Sequence, residues 1–519
     1  MLATIDLAII CVYGVFLLAA AYWVSREQDG RDKNTQDYFL ASQALPWWAV
    51  GASLVAANIS AEQIIGMSGS GYVIGLAIAS YEWMAAITLI LVGKFLLPIF
   101  LANNIRTMPQ FLEQRFDGRV RLVLAVFWLA VYVFVNLTAI LWLGALTIHT
   151  VTGLEINLGL VLIGTFAIAY SLYGGLKAVA FTDILQVVLL VAGGLMVSWI
   201  LLDAIAEGAG PWAGWLGLLA AAPEKFDMIL AADHPQYMSL PGLSVLIGGM
   251  WIMNLSYWGF NQYIIQRALA AKSLDEAQKG IVFAAFLKLL MPLIVVLPGI
   301  AMFVLNADLT QPDQAYPTAM TMLPAGIKGL VFAALIAAIL SSLASMANSI
   351  STIFTLDLYS AMVPARDQRH LVRVGRVVAV VAMLLAMICA RPLLGNFDQA
   401  FQYIQEFTGF FTPGIVAIFL LGMFWPRTTA NAALAAALGS AILSFALKLG
   451  WPALPFIDRV GWVFVACVML AVLVSLRRSM PQADEAIDLS GIRFETSRSF
   501  NLAAIAVSLI LTGLYITWW

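Results

Sequence analysis

The chain contains very little charge. Only 11% of its 519 residues are Asp, Glu, Lys or Arg, whereas a soluble domain has about 25%. The 27 basic and 29 acidic residues nearly cancel, so no positive field exists to attract a nucleic acid. This scarcity excludes a soluble enzyme, a disordered protein and a nucleic-acid-binding protein.

Side chains that form disulfides or hold metals are equally scarce. The chain has three cysteines and three histidines, all far apart in the sequence: Cys11, Cys389, Cys467, His149, His234 and His370. Without a CxxC pair or a His/Cys cluster, we expect no disulfide framework, no metal cluster and no cofactor. The N-terminus lacks the basic region and cleavage site of a signal peptide, so the first apolar run is predicted to be a retained span.

Long hydrophobic runs fill most of the chain instead. Hydrophobic residues make up 62% of the sequence, and the mean hydropathy is +0.92. Because a transmembrane helix needs about 20 apolar residues, we predict an all-α, multi-pass membrane protein. The predicted transmembrane helices number about 14, near residues 7–24, 47–69, 73–101, 122–150, 157–174, 183–202, 240–265, 280–305, 325–355, 374–390, 401–424, 430–448, 460–476 and 500–517.

The distribution of basic residues predicts the orientation of these spans. Alternate loops carry 20 of the 27 Lys and Arg residues. The positive-inside rule places such loops in the cytoplasm. With an even number of spans, both termini are therefore predicted outside, in the periplasm if the chain lies in a cell inner membrane. The long outer connection 203–239 is predicted to cap the protein at the membrane interface.

A few ionisable residues nevertheless fall within the predicted spans. Each costs at least about 2.5 kcal/mol near the bilayer centre and is a functional candidate by default. They are Glu62, Glu82, Lys94, Lys288 and Glu406, with Asp183 at a span end. Uncharged polar residues accompany them: Asn58, Ser60, Gln63, Asn254, Ser256, Asn261, Gln262, Gln402 and Gln405. A polar cavity shared by several spans would explain the whole set, whereas hydrogen bonding between helices would explain any single member.

Two of these segments predict a cation site. The polar run Asn58 to Gln63 in mid-membrane favours a broken helix, whose freed carbonyl groups coordinate a cation. Ser341 and Ser342 add two neighbouring hydroxyl groups on a face of small residues. A dehydrated Na⁺ requires several such oxygens, although packing of small residues alone would also explain the serine pair.

Aromatic residues stand beside the polar ones. Tyr81 precedes Glu82, Tyr257 and Trp258 follow Asn254, and Phe401 lies one helical turn before Gln405. Polar side chains bind sugar hydroxyl groups and aromatic rings pack on the sugar's C–H face, so this combination suits a sugar site.

Several motifs resemble the sodium:solute symporter family over essentially the whole chain. They are AANISAEQ at 56–63, SGSGY at 68–72, YGGLKAV at 173–179 with Thr182 and Asp183, WGFNQYIIQR at 258–267 and SSLASM at 341–346. Within the family, the chain is similar to bacterial sodium/galactose (sodium/glucose) cotransporters.

The resemblance implies a leucine-transporter-like fold in one domain, 1–519. That domain would comprise an extra helix at 7–24, two inverted five-helix repeats at 47–202 and 240–424, and three further helices at 430–517. The implied function is Na⁺-driven import of galactose or glucose by alternating access, with Na⁺ as coupling ion and a bilayer as surroundings. The oligomeric state stays open.

The resemblance also implies roles for individual residues. Sodium would be bound by Ala56, Ile59, Ala338, Ser341 and Ser342 and would leave past Asp183. Sugar would contact Gln63, Glu82, Asn254, Lys288 and Gln405, and would stack on Tyr257. Tyr257, held by Asn58, would form the inner gate, and Met67, Tyr81 and Phe401 the outer gate. Ala85 stands where the relatives supply a serine hydroxyl to the sugar, which leaves the preferred epimer open.

Three alternatives remain. One is a family symporter for an amino acid, a carboxylate or a vitamin, although Glu82 disfavours an anionic substrate. A membrane sensor would require an appended regulatory domain, and an intramembrane enzyme would require a catalytic pair or a metal cluster within the spans.

Overall fold

The computed structural model describes residues 2–25, 45–105, 107–173, 176–305, 308–363, 368–395, 397, 399–477, 487, 489 and 491–519. Within these residues the chain is helical, apart from turns and one isolated bridge between Leu45 and Ala271. The predicted all-α membrane protein is confirmed at this level.

The helices follow one another along the chain with short connections. Their bounds are α1 Thr4–Ser25, α2 Trp47–Asn58, α3 Glu62–Ile74, α4 Leu76–Ala102, α5 Met108–Arg115, α6 Gly118–Thr152, α7 Ile156–Tyr173, α8 Leu176–Ile205, α9 Pro211–Ala221, α10 Ser244–Ile247, α11 Gly249–Leu255, α12 Gln262–Leu269, α13 Leu274–Leu305, α14 Ala315–Thr321, α15 Ile327–Tyr359, α16 Gln368–Leu394, α17 Ala400–Thr408, α18 Thr412–Phe424, α19 Ala430–Gly450, α20 Phe456–Leu476 and α21 Arg498–Thr517.

Many of these helices are long and apolar enough to cross a membrane. Among the described residues, nine single helices meet this requirement, and eleven spans result if each of two bent helix pairs counts as one. Two shorter apolar stretches, Thr4–Phe16 and Ile156–Tyr170, add to the apolar helices. The predicted span at 240–265 is divided among α10, α11, a wide helical turn at Ser256–Phe260 and α12.

The helix break predicted around Asn58–Gln63 is present. Helices α2 and α3 meet at 65°. The amide of Ile59 still bonds the carbonyl of Val55, but Ile59 itself is extended, with φ −72° and ψ 95°. The carbonyl of Ser60 then accepts from Gln63 and Ile64 to begin α3. The break therefore directs backbone groups of residues 56–59 sideways, towards neighbouring helices.

A second bend separates α17 from α18, which meet at 46°. Pro413 lies in the first turn of α18, where its missing N–H leaves no helical hydrogen bond unmade. The bend divides the span predicted as continuous at 401–424. Both bent pairs contribute side chains to the same cavity, described below.

The end of α3 differs from the prediction. The predicted span ended at residue 69 and the next began at 73, whereas α3 continues to Ile74 and the chain turns at Gly75. Gly75 has φ +94°, which strongly favours glycine. A Cβ atom there would also lie 2.3 Å from the carbonyl oxygen of Lys225. The turn thus depends on contact with a distant loop, which local sequence does not reveal.

The long helix α13 lies at the centre of the packing. It contacts α2 and α4 with its first part, whereas its last part lies against α3. At Gly299 the backbones approach so closely that a Cβ atom would lie 2.0 Å from the carbonyl oxygen of Ser68. Small residues permit such close helix contacts in membrane proteins. Helix α13 therefore joins the broken pair α2–α3 to α4, and its Lys288 lies within this junction.

Candidate functional site

A polar cavity of about 120 Å³ lies between the two bent helix pairs, α4, α6 and the segment 253–261. Five of the six predicted sugar contacts line this central cavity: Gln63, Glu82, Asn254, Tyr257 and Gln405. Ala85 lines it as well, so the position that lacks the serine hydroxyl faces the same space.

The sixth predicted contact, Lys288, reaches this group through an ion pair. Its Nζ donates to Oε2 of Glu82 at 2.5 Å and also to Oδ1 of Asn58. The other carboxylate oxygen of Glu82 accepts from Nε2 of Gln63. Glu82 is 3% exposed and Lys288 is 0% exposed. Burying two charges is costly, but mutual attraction and these additional hydrogen bonds offset much of that cost.

The arrangement fixes a row of polar groups along the cavity wall. Lys288 also lies over the ring of Trp258, 4.9 Å from its centroid. Asn254 is anchored from its own helix, because its Nδ2 donates to the carbonyl of Met250 at 3.1 Å. Carboxylate and amide groups held in this way present donors and acceptors in fixed directions, which suits a ligand rich in hydroxyl groups.

The predicted gate residues occupy two sides of the cavity. Tyr81 and Phe401 meet edge to face, with ring centroids 5.0 Å apart. Met67 is completely buried, and its sulfur accepts from Nε2 of Gln63 at 2.9 Å. Tyr257 accepts a hydrogen bond of 3.1 Å at its hydroxyl oxygen from Nδ2 of Asn58. The structure therefore brings the predicted gate and sugar residues to one cavity, and hydrogen bonds link Met67, Gln63, Glu82, Lys288, Asn58 and Tyr257.

Further polar residues line this cavity: Glu62 and Asn261 belong to the polar set expected to share one cavity, whereas Asn136 and Tyr132 were not predicted. Asn136 on α6 donates to Oε1 of Glu62 at 3.4 Å, and the hydroxyl of Tyr132 donates to Oδ1 of Asn261 at 2.8 Å. Glu62, Asn136, Tyr132 and Asn261 all line the cavity. The available signal was Asn136, an isolated amide within the apolar run of α6.

A second, much smaller cavity contains all five predicted sodium ligands. It measures about 10 Å³ and is lined by Ala56, Ile59, Ala338, Ser341 and Ser342. This volume is that of a single water or ion. The break between α2 and α3 brings the backbone of Ala56 and Ile59 next to the serine pair of α15.

The donor chemistry of this small cavity fits Na⁺. Hydroxyl and carbonyl oxygens are hard ligands, the type that hard cations prefer. Gln186 and Ser345 also line the cavity, and neither was predicted. Tyr263, a further lining residue, donates to the carbonyl of Ala57 at 2.9 Å and so holds the broken end of α2. Asp183, the predicted exit residue, has its side chain outside the described part of the structure.

The expectation that one cavity unites all intramembrane polar residues is wrong for several of them. Glu406 pairs with Lys448 at 2.8 Å and Arg459 at 3.1 Å, because α19 and α20 supply cations beside it. Lys94 lies over the ring of Phe95, and Gln262 accepts from the amide of Met108. These residues stabilise contacts within or between helices, the alternative considered for each of them singly.

Two bent helix pairs around a polar cavity, beside a small oxygen-lined site, define a membrane transporter for a small solute and a cation. The profile of the "Sodium:solute symporter family" matches residues 38–439. The chain is 50% identical to a "Sodium/glucose cotransporter" of Vibrio parahaemolyticus, covering 100% of this chain and 99% of that protein. It is 35% identical to the "Sodium/myo-inositol cotransporter 2" of Mus musculus, covering 82% of this chain and 67% of the relative. The chain therefore belongs to the sodium:solute symporter family.

Solved structures agree with this fold. A Na⁺-coupled sialic acid symporter in a substrate-bound outward-open state superposes with a TM-score of 0.78 at 23% identity, covering 92% of this chain and 98% of that one. Mhp1, a nucleobase-cation-symport-1 family transporter in a closed conformation, superposes with a TM-score of 0.53 at 14% identity, covering 87% and 98%. The protein is a multi-pass, Na⁺-coupled solute symporter and not an enzyme, with Na⁺ as its coupling ion.

Proposed function

We propose that this symporter uses the Na⁺ gradient to import a monosaccharide, galactose or glucose, across the cell inner membrane. The observation that carries the proposal is the buried group Glu82–Lys288–Gln63 beside Asn254 and Gln405 in the central cavity. Relatives named for glucose and myo-inositol support a polyhydroxylated, uncharged substrate.

The proposed sugar contacts are Gln63, Glu82, Asn254, Lys288 and Gln405, with Tyr257 stacked on the ring. Glu82 and Gln63 would accept and donate hydrogen bonds with sugar hydroxyl groups, and Lys288 would hold the carboxylate in place. Glu62 adds a second carboxylate to the same cavity. Two carboxylates and one paired lysine favour a neutral ligand over an anion.

Coupling would pass through the broken helix. Na⁺ bound by Ala56, Ile59, Ala338, Ser341 and Ser342 would tie α2 to α15. This contact would order Asn58, which ends α2 and bonds both Lys288 and Tyr257. Each ligand would then raise the affinity for the other by the same factor.

Transport would proceed by alternating access. Na⁺ and sugar would bind from outside, Met67, Tyr81 and Phe401 would close above them, and Tyr257 would release the sugar to the cytoplasm. Low internal Na⁺ would let the ion leave past Asp183. A membrane potential contributes about 2.3 kcal/mol per charge per 100 mV to this inward movement.

The finer architecture belongs to the same proposal. It comprises 14 spans, an extra helix at 7–24, inverted repeats at 47–202 and 240–424, and three further helices at 430–517. Both termini would face the periplasm. The interrupted spans 47–74 and 240–265 each begin one proposed repeat, and interruptions at corresponding positions support this division.

The test is uptake into proteoliposomes with galactose, glucose or proline outside, in the presence of Na⁺ or K⁺. We expect hexose uptake that depends on an inward Na⁺ gradient, with proline excluded. Uptake of proline but not of either hexose would instead support a family symporter for another solute. Ala85 makes the galactose-to-glucose ratio informative, and Ala85→Ser is expected to change that ratio.

A further inference from the structure

A third cavity, lined by apolar and aromatic side chains alone, lies on the opposite side of α4 and α13 from the sugar site. It measures about 330 Å³ and is bounded by α4, α9, α13 and α21. Its wall includes Trp83, Leu289, Leu293, Ile510 and Trp518. We refer to it as the apolar cavity.

The apolar cavity opens towards the bilayer. Leu293 and Ile510 are 44% and 42% exposed, although both belong to membrane-spanning helices. In a membrane such side chains face hydrocarbon chains, so the cavity is continuous with lipid. An apolar space of this kind does not hold water, and leaving it empty would forfeit dispersion contacts along its wall.

The surroundings select the occupant. The wall of the apolar cavity is continuous with side chains that face lipid on membrane-spanning helices, so the hydrocarbon chain of a lipid is the group that reaches it and matches its apolar lining. Trp215, Phe226 and Trp518 pack together at one end, with ring centroids 5.2–6.2 Å apart. Tryptophan is typical of the membrane interface, which places the polar end of a lipid there.

We infer that the apolar cavity binds one acyl chain of a membrane phospholipid, and that the bound chain supports the Glu82–Lys288 pair. Trp83 directly follows Glu82, and Leu289 directly follows Lys288. Successive residues on a helix point about 100° apart, so each helix carries its member of the ion pair on one face and, on another, an apolar neighbour that lines the apolar cavity. Nε1 of Trp83 donates to the carbonyl of Leu289 at 3.4 Å and joins the two walls.

Lipid occupancy is tested with a phospholipid whose acyl chain carries bromine. The protein is crystallised with this lipid, and the anomalous signal of bromine is mapped. We expect a bromine peak inside the apolar cavity, between Trp83 and Leu293. Bromine peaks at other lipid-facing helices without one in the cavity would overturn the inference, as would a detergent molecule or a protein side chain filling it.

The coupling between lipid and sugar rests on the proposed function and is tested with Leu293→Trp. The new indole would fill the apolar cavity and replace the lipid. Val381→Trp is the matched control, since Val381 is also lipid-exposed (47%) but lies on α16, outside the cavity. We expect delipidation to weaken sugar binding about fivefold in the wild type and in the control. Leu293→Trp should bind sugar equally with and without lipid.

These experiments distinguish a failure of the lipid–sugar coupling from a failure of the proposed function. Equal sugar affinity before and after delipidation of the wild type would overturn the coupling and leave Na⁺-driven uptake intact. Lipid-dependent affinity that persists in Leu293→Trp would also overturn it. No sugar binding under any condition would refute the proposed function and the coupling together, whereas the bromine map decides occupancy without reference to sugar.

Discussion

Lys288 and Glu82, on two different helices, form a 2.5 Å ion pair in which neither side chain is more than 4% exposed. The pair joins α13 to α4 at the wall of the central cavity. It also divides the two partners' roles, because Glu82 lines the cavity whereas Lys288 lies behind it. Lys288 is therefore expected to act on the sugar chiefly by holding the carboxylate.

Removing only one partner of this pair should be strongly destabilising. In Lys288→Met the carboxylate of Glu82 loses its cation, at a cost of about 3–5 kcal/mol. We expect a clearly lower melting temperature in detergent and no sugar uptake. The double variant Glu82→Gln, Lys288→Met removes both charges and should regain most of the stability without regaining transport. If the double variant is as unstable as the single one, the pair is not the source of the effect.

The Na⁺ site should depend on Ser342. Ser342→Ala removes one hydroxyl from the small cavity, a contact to a charged group worth about 1.5 kcal/mol, so half-maximal uptake should require about tenfold more Na⁺. Uptake is measured against external Na⁺ at saturating sugar.

Ser349→Ala is the control for this prediction. Ser349 lies two turns further along α15, and its hydroxyl donates to the carbonyl of Ser345 at 3.0 Å. The Na⁺ dependence of uptake by Ser349→Ala should match that of the wild type. A normal Na⁺ dependence in Ser342→Ala would remove Ser342 from the ligand set.

Two glutamines on α17 provide a matched pair for the sugar site. Gln405 lines the central cavity and Gln402 does not. Gln405→Ala should weaken sugar binding about tenfold, the loss of one hydrogen bond of about 1.4 kcal/mol. Within the described residues, both amide atoms of Gln402 are buried with no hydrogen-bond partner. Gln402→Ala should therefore keep the sugar affinity and raise the melting temperature. Equal loss of affinity in both variants would indicate a general defect of α17.

Tyr257→Phe tests the inner gate. The variant keeps the ring but loses the hydrogen bond from Asn58, worth about 1 kcal/mol. We expect sugar preloaded in proteoliposomes to leave about fivefold faster, with sugar affinity little changed, and efflux of radiolabelled sugar measures this. Slower or unchanged efflux would argue against a gating role for Tyr257. Tyr263→Phe is the control, because it loses the hydrogen bond to the carbonyl of Ala57 instead. This control should change the Na⁺ dependence of uptake and leave the rate of sugar release unchanged.

The sequence predicted the parts of the molecule whose signals are local. Polar residues inside apolar runs identified the broken segment at Asn58–Gln63, because such residues are costly in lipid and so rarely occur without a reason. The resemblance to a known family supplied five of the residues that line the small cavity, and the structure brings all five together. The motif alone could not reveal Gln186, since α8 reaches the cavity only in the folded protein.

The remaining features depend on contacts between distant segments. Glu406 resembles Glu82 in the sequence, an acidic residue within a span, yet its partners Lys448 and Arg459 come from helices more than 40 residues away. The turn at Gly75 depends on Lys225 of the connection 203–239, whose Nζ donates to the carbonyls of Tyr72 and Val73. Partial burial lowers the pKa of this lysine. Its Nζ is nevertheless held by the two carbonyl groups at the turn and by the ring of Phe303 on α13, 4.1 Å from the ring centroid. Hydropathy carries no information on such pairings.

Asn58 uses the two ends of its amide for different tasks: the oxygen receives Lys288 and the nitrogen serves Tyr257. An amide is not symmetrical, so turning it over would place the NH₂ group of Asn58 against the ammonium group of Lys288, and both groups are donors. Only one orientation satisfies both neighbours, so this single torsion angle links the Glu82–Lys288 pair to Tyr257, the proposed inner gate. Rotation of this one side chain would break both hydrogen bonds together, without the displacement of a helix.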